Sequence, residues 1–187
     1  MTGYILSIKR SREEDLVVNV LTSNSLKVLY RFYGARHSVI LIGHKIDFEE
    51  ELNNSYLPRM CNTMHINFPW IQNKDKLFAW QKFIKYLFSH LAGVSNISSF
   101  YFDMLNNLSD NLSYQCHKRA IIENYISMQK YEGIMSDTLI CANCNQEIED
   151  ILVINKQCTP YHSACSVGFI SFEAKRLKAL FEEENSF

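Results

Sequence analysis

The first 70 residues alternate apolar and polar side chains with the two-residue period of β-strands. Residues 3–9 set Tyr4, Leu6 and Ile8 against Ile5, Ser7 and Lys9, and a charged turn over residues 10–15 follows. Residues 16–22 form a nearly continuous β-branched and apolar run, as in a strand covered on both faces. Ser23, Asn24 and Ser25 suit a tight turn. Over residues 26–33, Leu26, Val28, Tyr30 and Phe32 share one face, expected to be core. Lys27, Leu29, Arg31 and Tyr33 share the other. Further strands are predicted over residues 45–52 and 60–68. Several short strands with no helix-length gap between them predict a small barrel such as an OB-fold.

After Pro69 the period lengthens to that of a helix. Asn73 is placed to cap a helix over residues 74–91, where Leu77, Trp80, Ile84, Leu87, Phe88 and Leu91 form one apolar stripe. A second helix near residues 98–108 and a third near 113–132 are separated by a turn at Ser109, Asp110 and Asn111, with Gly133 as the final stop. A last helix, over residues 172–183, would turn Leu177, Leu180 and Phe181 inward. The expected class is α+β. A barrel over residues 1–70 precedes a helical domain over residues 71–187, in which a zinc-ribbon-like module occupies residues 139–168.

That module comes from spacing. Cys141 and Cys144 form one pair with two residues between them, and His162 and Cys165 form another. Two such pairs on separate turns can complete a tetrahedron around zinc. Cys158 lies close enough in sequence to replace His162, and a disulfide framework or a redox pair are the competing readings. A redox pair has no use for a second ligand pair. With four protein ligands no open position is left for water or substrate, so the expected zinc is structural.

Composition adds a local contrast rather than a global signal. The 187 residues are 47% hydrophobic and 13% aromatic, with a formal net charge of −1, so no overall basicity announces nucleic acid. Between residues 9 and 45, however, seven cations (Lys9, Arg10, Arg12, Lys27, Arg31, Arg36, Lys45) face only three acids (Glu13, Glu14, Asp15). Such residues can neutralise phosphates, and Tyr33 among them offers a ring for base stacking. The same residues are also compatible with scattered solvating charge. His117, Lys118 and Arg119 make a smaller basic end that could receive an acidic tail or simply be solvated.

Residues 1–15 become charged at Lys9 without the long apolar core of a signal peptide, and no run of about 18 uncharged apolar residues occurs. The expectation is a cytoplasmic protein with no membrane span. Motifs of catalysis are missing: no Gly-rich phosphate loop, no Gly-x-Ser-x-Gly, no His-Glu-x-x-His. Glu49, Glu50 and Glu51 read as a solvated strand edge, and His37 and His44 have no partner at a useful spacing. No enzymatic activity is expected.

In its spaced N-terminal elements the chain resembles the RecO family of bacterial DNA repair and recombination mediators. Gly3-Tyr-Ile-Leu6 is similar to the family's opening strand, and Glu14-Asp15-Leu16-Val17-Val18 with Leu21-Thr22 to its next turn and strand. Gly34-Ala-Arg36 is similar to the small-small-basic element that closes its third strand, and the late zinc pairs agree with the family order. His162 stands where the family commonly has a fourth cysteine. The resemblance implies an OB-fold that binds single- and double-stranded DNA through Lys9, Arg10, Arg12, Lys27, Arg31, Tyr33, Arg36 and His37. It further implies strand annealing without covalent chemistry and a nucleoid-associated location. The implied partners are RecR, with which the family loads the RecA recombinase, and the C-terminal tail of single-stranded-DNA-binding protein.

Overall fold

The computed structural model describes residues 1–36, 40–52, 57–94, 96–133, 139–154, 159–166 and 170–173. Five strands, β1 (Thr2–Arg10), β2 (Leu16–Leu21), β3 (Leu26–Arg31), β4 (Lys45–Glu51) and β5 (Arg59–Ile66), close a barrel in the order β1-β2-β3-β5-β4. The ring closes where β1 pairs antiparallel with β4, from Thr2 opposite Asp47 to Tyr4 opposite Lys45. Its shortest seam is the parallel contact of β3 with β5, where Tyr30 lies opposite Arg59 and its amide donates to the Pro58 carbonyl at 2.8 Å. Ile5, Val18, Val20, Leu29, Ile46 and Met60 are fully buried inside, with Phe48 and Leu16 nearly so. Each such side chain contributes roughly 1.5–3 kcal/mol by leaving water.

The barrel reverses the expected faces of β3. Leu29 is fully buried, whereas Val28 and Phe32 are 41% and 43% exposed. Register is the cause. Leu16, Val18 and Val20 of β2 point inward, and the residues directly opposite them are Arg31, Leu29 and Lys27. Opposed residues share a face, so Lys27 and Arg31 flank the one apolar member of the inner row. The alternation itself was right; its assignment to inside and outside was not. β2 likewise has one covered face, since Val17 and Asn19 are only half-buried.

Three helices follow, α1 (Lys74–His90), α2 (Ser99–Tyr114) and α3 (His117–Tyr131). Asn73 caps α1 as expected, its side chain accepting from the amides of Asp75 and Lys76. Ser98 caps α2 in the same way through Phe100. The expected turn at Ser109–Asn111 is absent, because α2 runs on to Tyr114. Leu105, Leu108 and Leu112 continue its buried stripe across that site, and the Ser109 hydroxyl donates to the Asn106 carbonyl within the helix. The break falls instead at Gln115 and Cys116, between α2 and α3.

An aromatic cluster holds α1 and α2 on the barrel. Trp80 packs against Tyr4, Phe68 and Trp70 with ring centroids 5.5–5.8 Å apart. Its indole N–H donates to the Gly43 carbonyl at 2.8 Å, and that of Trp70 to the Ser109 carbonyl at 2.7 Å. Tyr4 and Lys45 both donate to Asn106 Oδ1 of α2, at 2.8 and 2.7 Å. Barrel, α1 and α2 thus form one compact unit, Met1–Lys118. Gly43 is a demanding point in it: its φ is +87°, and a Cβ there would lie 2.5 Å from Trp80 Nε1. Gly43→Ala should therefore destabilise the unit by about 1–3 kcal/mol, read as a lower denaturant midpoint with the slope retained.

The second unit is Arg119–Phe187. It contains the rest of α3 and a three-stranded antiparallel sheet, β7 (Pro160–His162), β6 (Ile151–Ile154) and β8 (Ile170–Glu173), in that order. Gly133 follows α3 with φ of +67°, the expected stop. The last predicted helix begins wrongly, since Phe172 and Glu173 belong to β8. The rest of that stretch lies outside the described residues.

Candidate nucleic-acid interface and metal centre

Strand register gathers much of the basic segment at one end of the barrel. Lys9 lies opposite Val17, which lies opposite Tyr30, which lies opposite Arg59; one position on, Arg10, Leu16 and Arg31 form the next row. Lys9, Arg10 and Arg12 are exposed there, on the last residues of β1 and the turn after it. Asp15 stitches that turn to the end of β3, accepting from the Tyr30 hydroxyl at 2.7 Å and the Tyr33 amide at 2.9 Å. These two bonds hold its carboxyl below the usual carboxylate range. The Tyr33 bond also fixes a left-handed backbone, φ 52°, that leaves the Tyr33 ring 58% exposed. Arg36, in the 3-10 turn Gly34–Arg36, pairs with Glu14 and lies 5.4 Å over the Tyr33 ring.

The remaining expected contacts are engaged within the fold or lie outside the described residues. Lys27 pairs with Glu50, and Arg31 donates through Nη1 to the Met60 carbonyl at 2.8 Å, so both have acceptors within the barrel. His37 lies outside the described residues. Lys45 sits against Tyr4, Phe102 and Asn106, committed to the helix contact. On α3, Arg119 pairs with Glu123 one turn on. Sequence reasoning missed Phe32 and Arg59. Phe32 falls on the face that the sequence assigns to the core, and Arg59 lies beyond the basic segment of residues 9–45. The Arg59 guanidinium lies 4.9 Å over the Phe32 ring.

In the second unit, Cys141, Cys144, His162 and Cys165 present ligand atoms that all lie within 4.8 Å of one another. Cys141 and Cys144 sit on a tight turn, closed by the Asn145 amide donating to the Cys141 carbonyl at 2.9 Å with Asn145 at φ 57°. His162 ends β7, and the Cys165 amide donates back to its carbonyl at 2.9 Å. The His162 ring places Nε2 3.1 Å from the Glu147 carbonyl and Nδ1 3.3 Å from Cys144 Sγ. A carbonyl on one ring nitrogen that leaves the other for the metal is the usual outer support of a ligating histidine.

Burial pushes the Cys141 thiol up. The backbone amides of Cys144, His162 and Asn143 outweigh that and bring it down to about 6, toward the thiolate a metal needs. Three sulfurs and one imidazole nitrogen from two turns can hold a tetrahedral metal ion. Cys158 lies outside the described residues; among those described, His162 offers the fourth ligand atom.

No curated protein is significantly similar to the chain. Residues 1–71 match the family model of the RecO N-terminal domain, a span that takes in all five barrel strands and ends just before α1. Over residues 1–71 the barrel is thus similar to the RecO N-terminal domain.

Proposed function

We propose that the chain is a non-enzymatic recombination mediator that binds and anneals single-stranded DNA and helps load a recombinase. The observation that carries this reading is the meeting of Lys9, Arg10, Arg12, Tyr33 and Arg36 at one end of a RecO-type barrel. Lys9, Arg10, Arg12 and Arg36 neutralise phosphates, and the exposed Tyr33 ring takes a base. Lys27 and Arg31 support the barrel from within rather than meeting DNA directly. The four ligands of the second unit hold a structural zinc ion. RecR and the C-terminal tail of single-stranded-DNA-binding protein are its protein partners, in the cytoplasm and on the nucleoid. Among the described residues no helix is long and apolar enough to cross a membrane.

The test is binding to a fluorescent oligonucleotide across a salt series, with annealing of the complementary strand followed alongside. The wild-type chain should bind with strong salt dependence and speed annealing. Arg10→Ala with Arg12→Ala should reduce the slope of log affinity against log salt by about 1.4, since each single-strand phosphate contact contributes about 0.7. A folded chain that leaves the oligonucleotide free at low salt would make the barrel a protein-binding module instead.

A further inference from the structure

An open groove of about 740 Å3 borders the basic end of the barrel and is not used by the contacts above. It is as large as sites that hold small organic ligands. Arg31, Arg59, Asn62 and Thr63 stand in its wall, with Met1 and Met64 as apolar members. Nε of both arginines and Oγ1 of Thr63 are buried without a hydrogen-bond partner. These atoms lie beneath the surface, and the Arg59 side chain, 42% exposed, is what the groove offers a ligand. The acids that also line it are already engaged. Asp47 faces the N-terminal ammonium at 3.1 Å, and Glu49 accepts from Asn62. Arg59 shares Glu51 at 3.5 Å in a solvent-facing pair, which is weak enough to open for a stronger anion.

Phe32 supplies the second observation. Its ring is 43% exposed, with Tyr30 edge-on at 4.9 Å and the Arg59 guanidinium 4.9 Å above it. A solvent-facing ring beside a guanidinium can serve both halves of a nucleotide, the ring its base and the cation its phosphate. The place also suits a continuous path, because Arg59 ends the row that starts at Lys9 and passes through Tyr30.

Resting on the DNA reading above, we infer that this groove is a second segment of the single-strand path. The phosphate of one nucleotide unit sits in it on Arg59, and the base stacks on Phe32, which lies beside Arg59 outside the groove's lining. Arg31 lies behind as a supporting charge. The strand would cross the barrel end from the turn after β1, over the outer face of β3, to the start of β5.

The full chain, titrated with fluorescein-labelled oligothymidylate, tests this. Phe32→Ala should weaken binding about 5- to 150-fold, as loss of one stacked base does, with the salt slope unchanged. Arg59→Ala should lower that slope by about 0.7, one single-strand phosphate contact. Phe32→Trp gives a direct readout, because its fluorescence should fall as the oligonucleotide is added. The native Trp70 and Trp80, 5% and 1% exposed, should stay constant. Wild-type affinity and slope in both alanine variants, or an unquenched Trp, would overturn the groove. If Arg10→Ala with Arg12→Ala still lost affinity, the DNA reading would survive that result. No binding by the wild-type chain would overturn both.

Discussion

Cys144→Ser should yield a chain that is aggregated or partly unfolded in its second unit and has lost its bound zinc. The described apolar core beside the ligands is small: Leu139, Cys141, Ile148, Leu152 and Val153 are its buried members. A module with so little apolar burial around it gains from a staple, and a metal ion held by the four residues would tie the Cys141 turn to the end of β7. Structural zinc contributes on the order of 10–16 kcal/mol to the folding of small peptides, comparable to the roughly 5–15 kcal/mol net stability of a whole domain. Removing one thiolate leaves three ligands and an open position, so most of that contribution should go. Zinc content per chain, far-ultraviolet circular dichroism and the oligonucleotide titration should be measured on one sample. The expected result is zinc lost and ordered structure reduced, with DNA affinity per folded barrel retained. A soluble, fully folded variant without metal would refute a structural role for the ion.

The candidate metal ligands are legible because their information is local. Two residues between each pair of ligands set a turn, and the chemistry of sulfur and imidazole does the rest, with no need to know what packs around them. The barrel was legible for a similar reason, since strand period survives whichever way a strand faces. Facing itself was not legible in β3. Leu29 has cations as its inward-row neighbours, whereas Val28, Tyr30 and Phe32 make the more apolar row. A hydrophobic count therefore chooses the wrong side, and only pairing with Val18 and Val20 corrects it.

The same limit hides how the candidate interface is arranged. Lys27 and Arg31 count as free charge in sequence but find Glu50 and the Met60 carbonyl in the fold. Arg59 looks remote in sequence and lies in register with Lys9 through two intervening strands. Ser109, Asp110 and Asn111 resemble a turn by composition, yet the helix passes through them because Leu108 and Leu112 are buried one turn apart. Local propensity yields where a continuous apolar stripe is available.

Trp80→Ala should lower the stability of the first unit by about 3–5 kcal/mol, the range for removing a large buried aromatic side chain. Trp80 is 1% exposed and meets three other aromatic residues, so the cavity would open at the centre of the contact between α1 and the barrel. Its indole N–H is also the partner of the Gly43 carbonyl. That carbonyl belongs to a stretch sewn to β1, with the Gly43 amide donating to Ile5 at 2.8 Å and the Ile5 amide to His44 at 2.9 Å. Truncation therefore removes packing and loosens the seam between β1 and β4 together. The basic residues lie at the far end of β1, beyond Ile8, so the salt slope of DNA binding should stay unchanged wherever the variant is folded. Affinity should fall only in step with the unfolded fraction. Trp80→Phe separates the two contributions, because it keeps a ring in the cluster and loses the hydrogen bond; its loss should be clearly smaller. Denaturant melts of both variants provide the comparison. A change under about 0.5 kcal/mol for Trp80→Ala, the size expected of an ordinary surface substitution, would mean that the barrel does not depend on α1 for its fold.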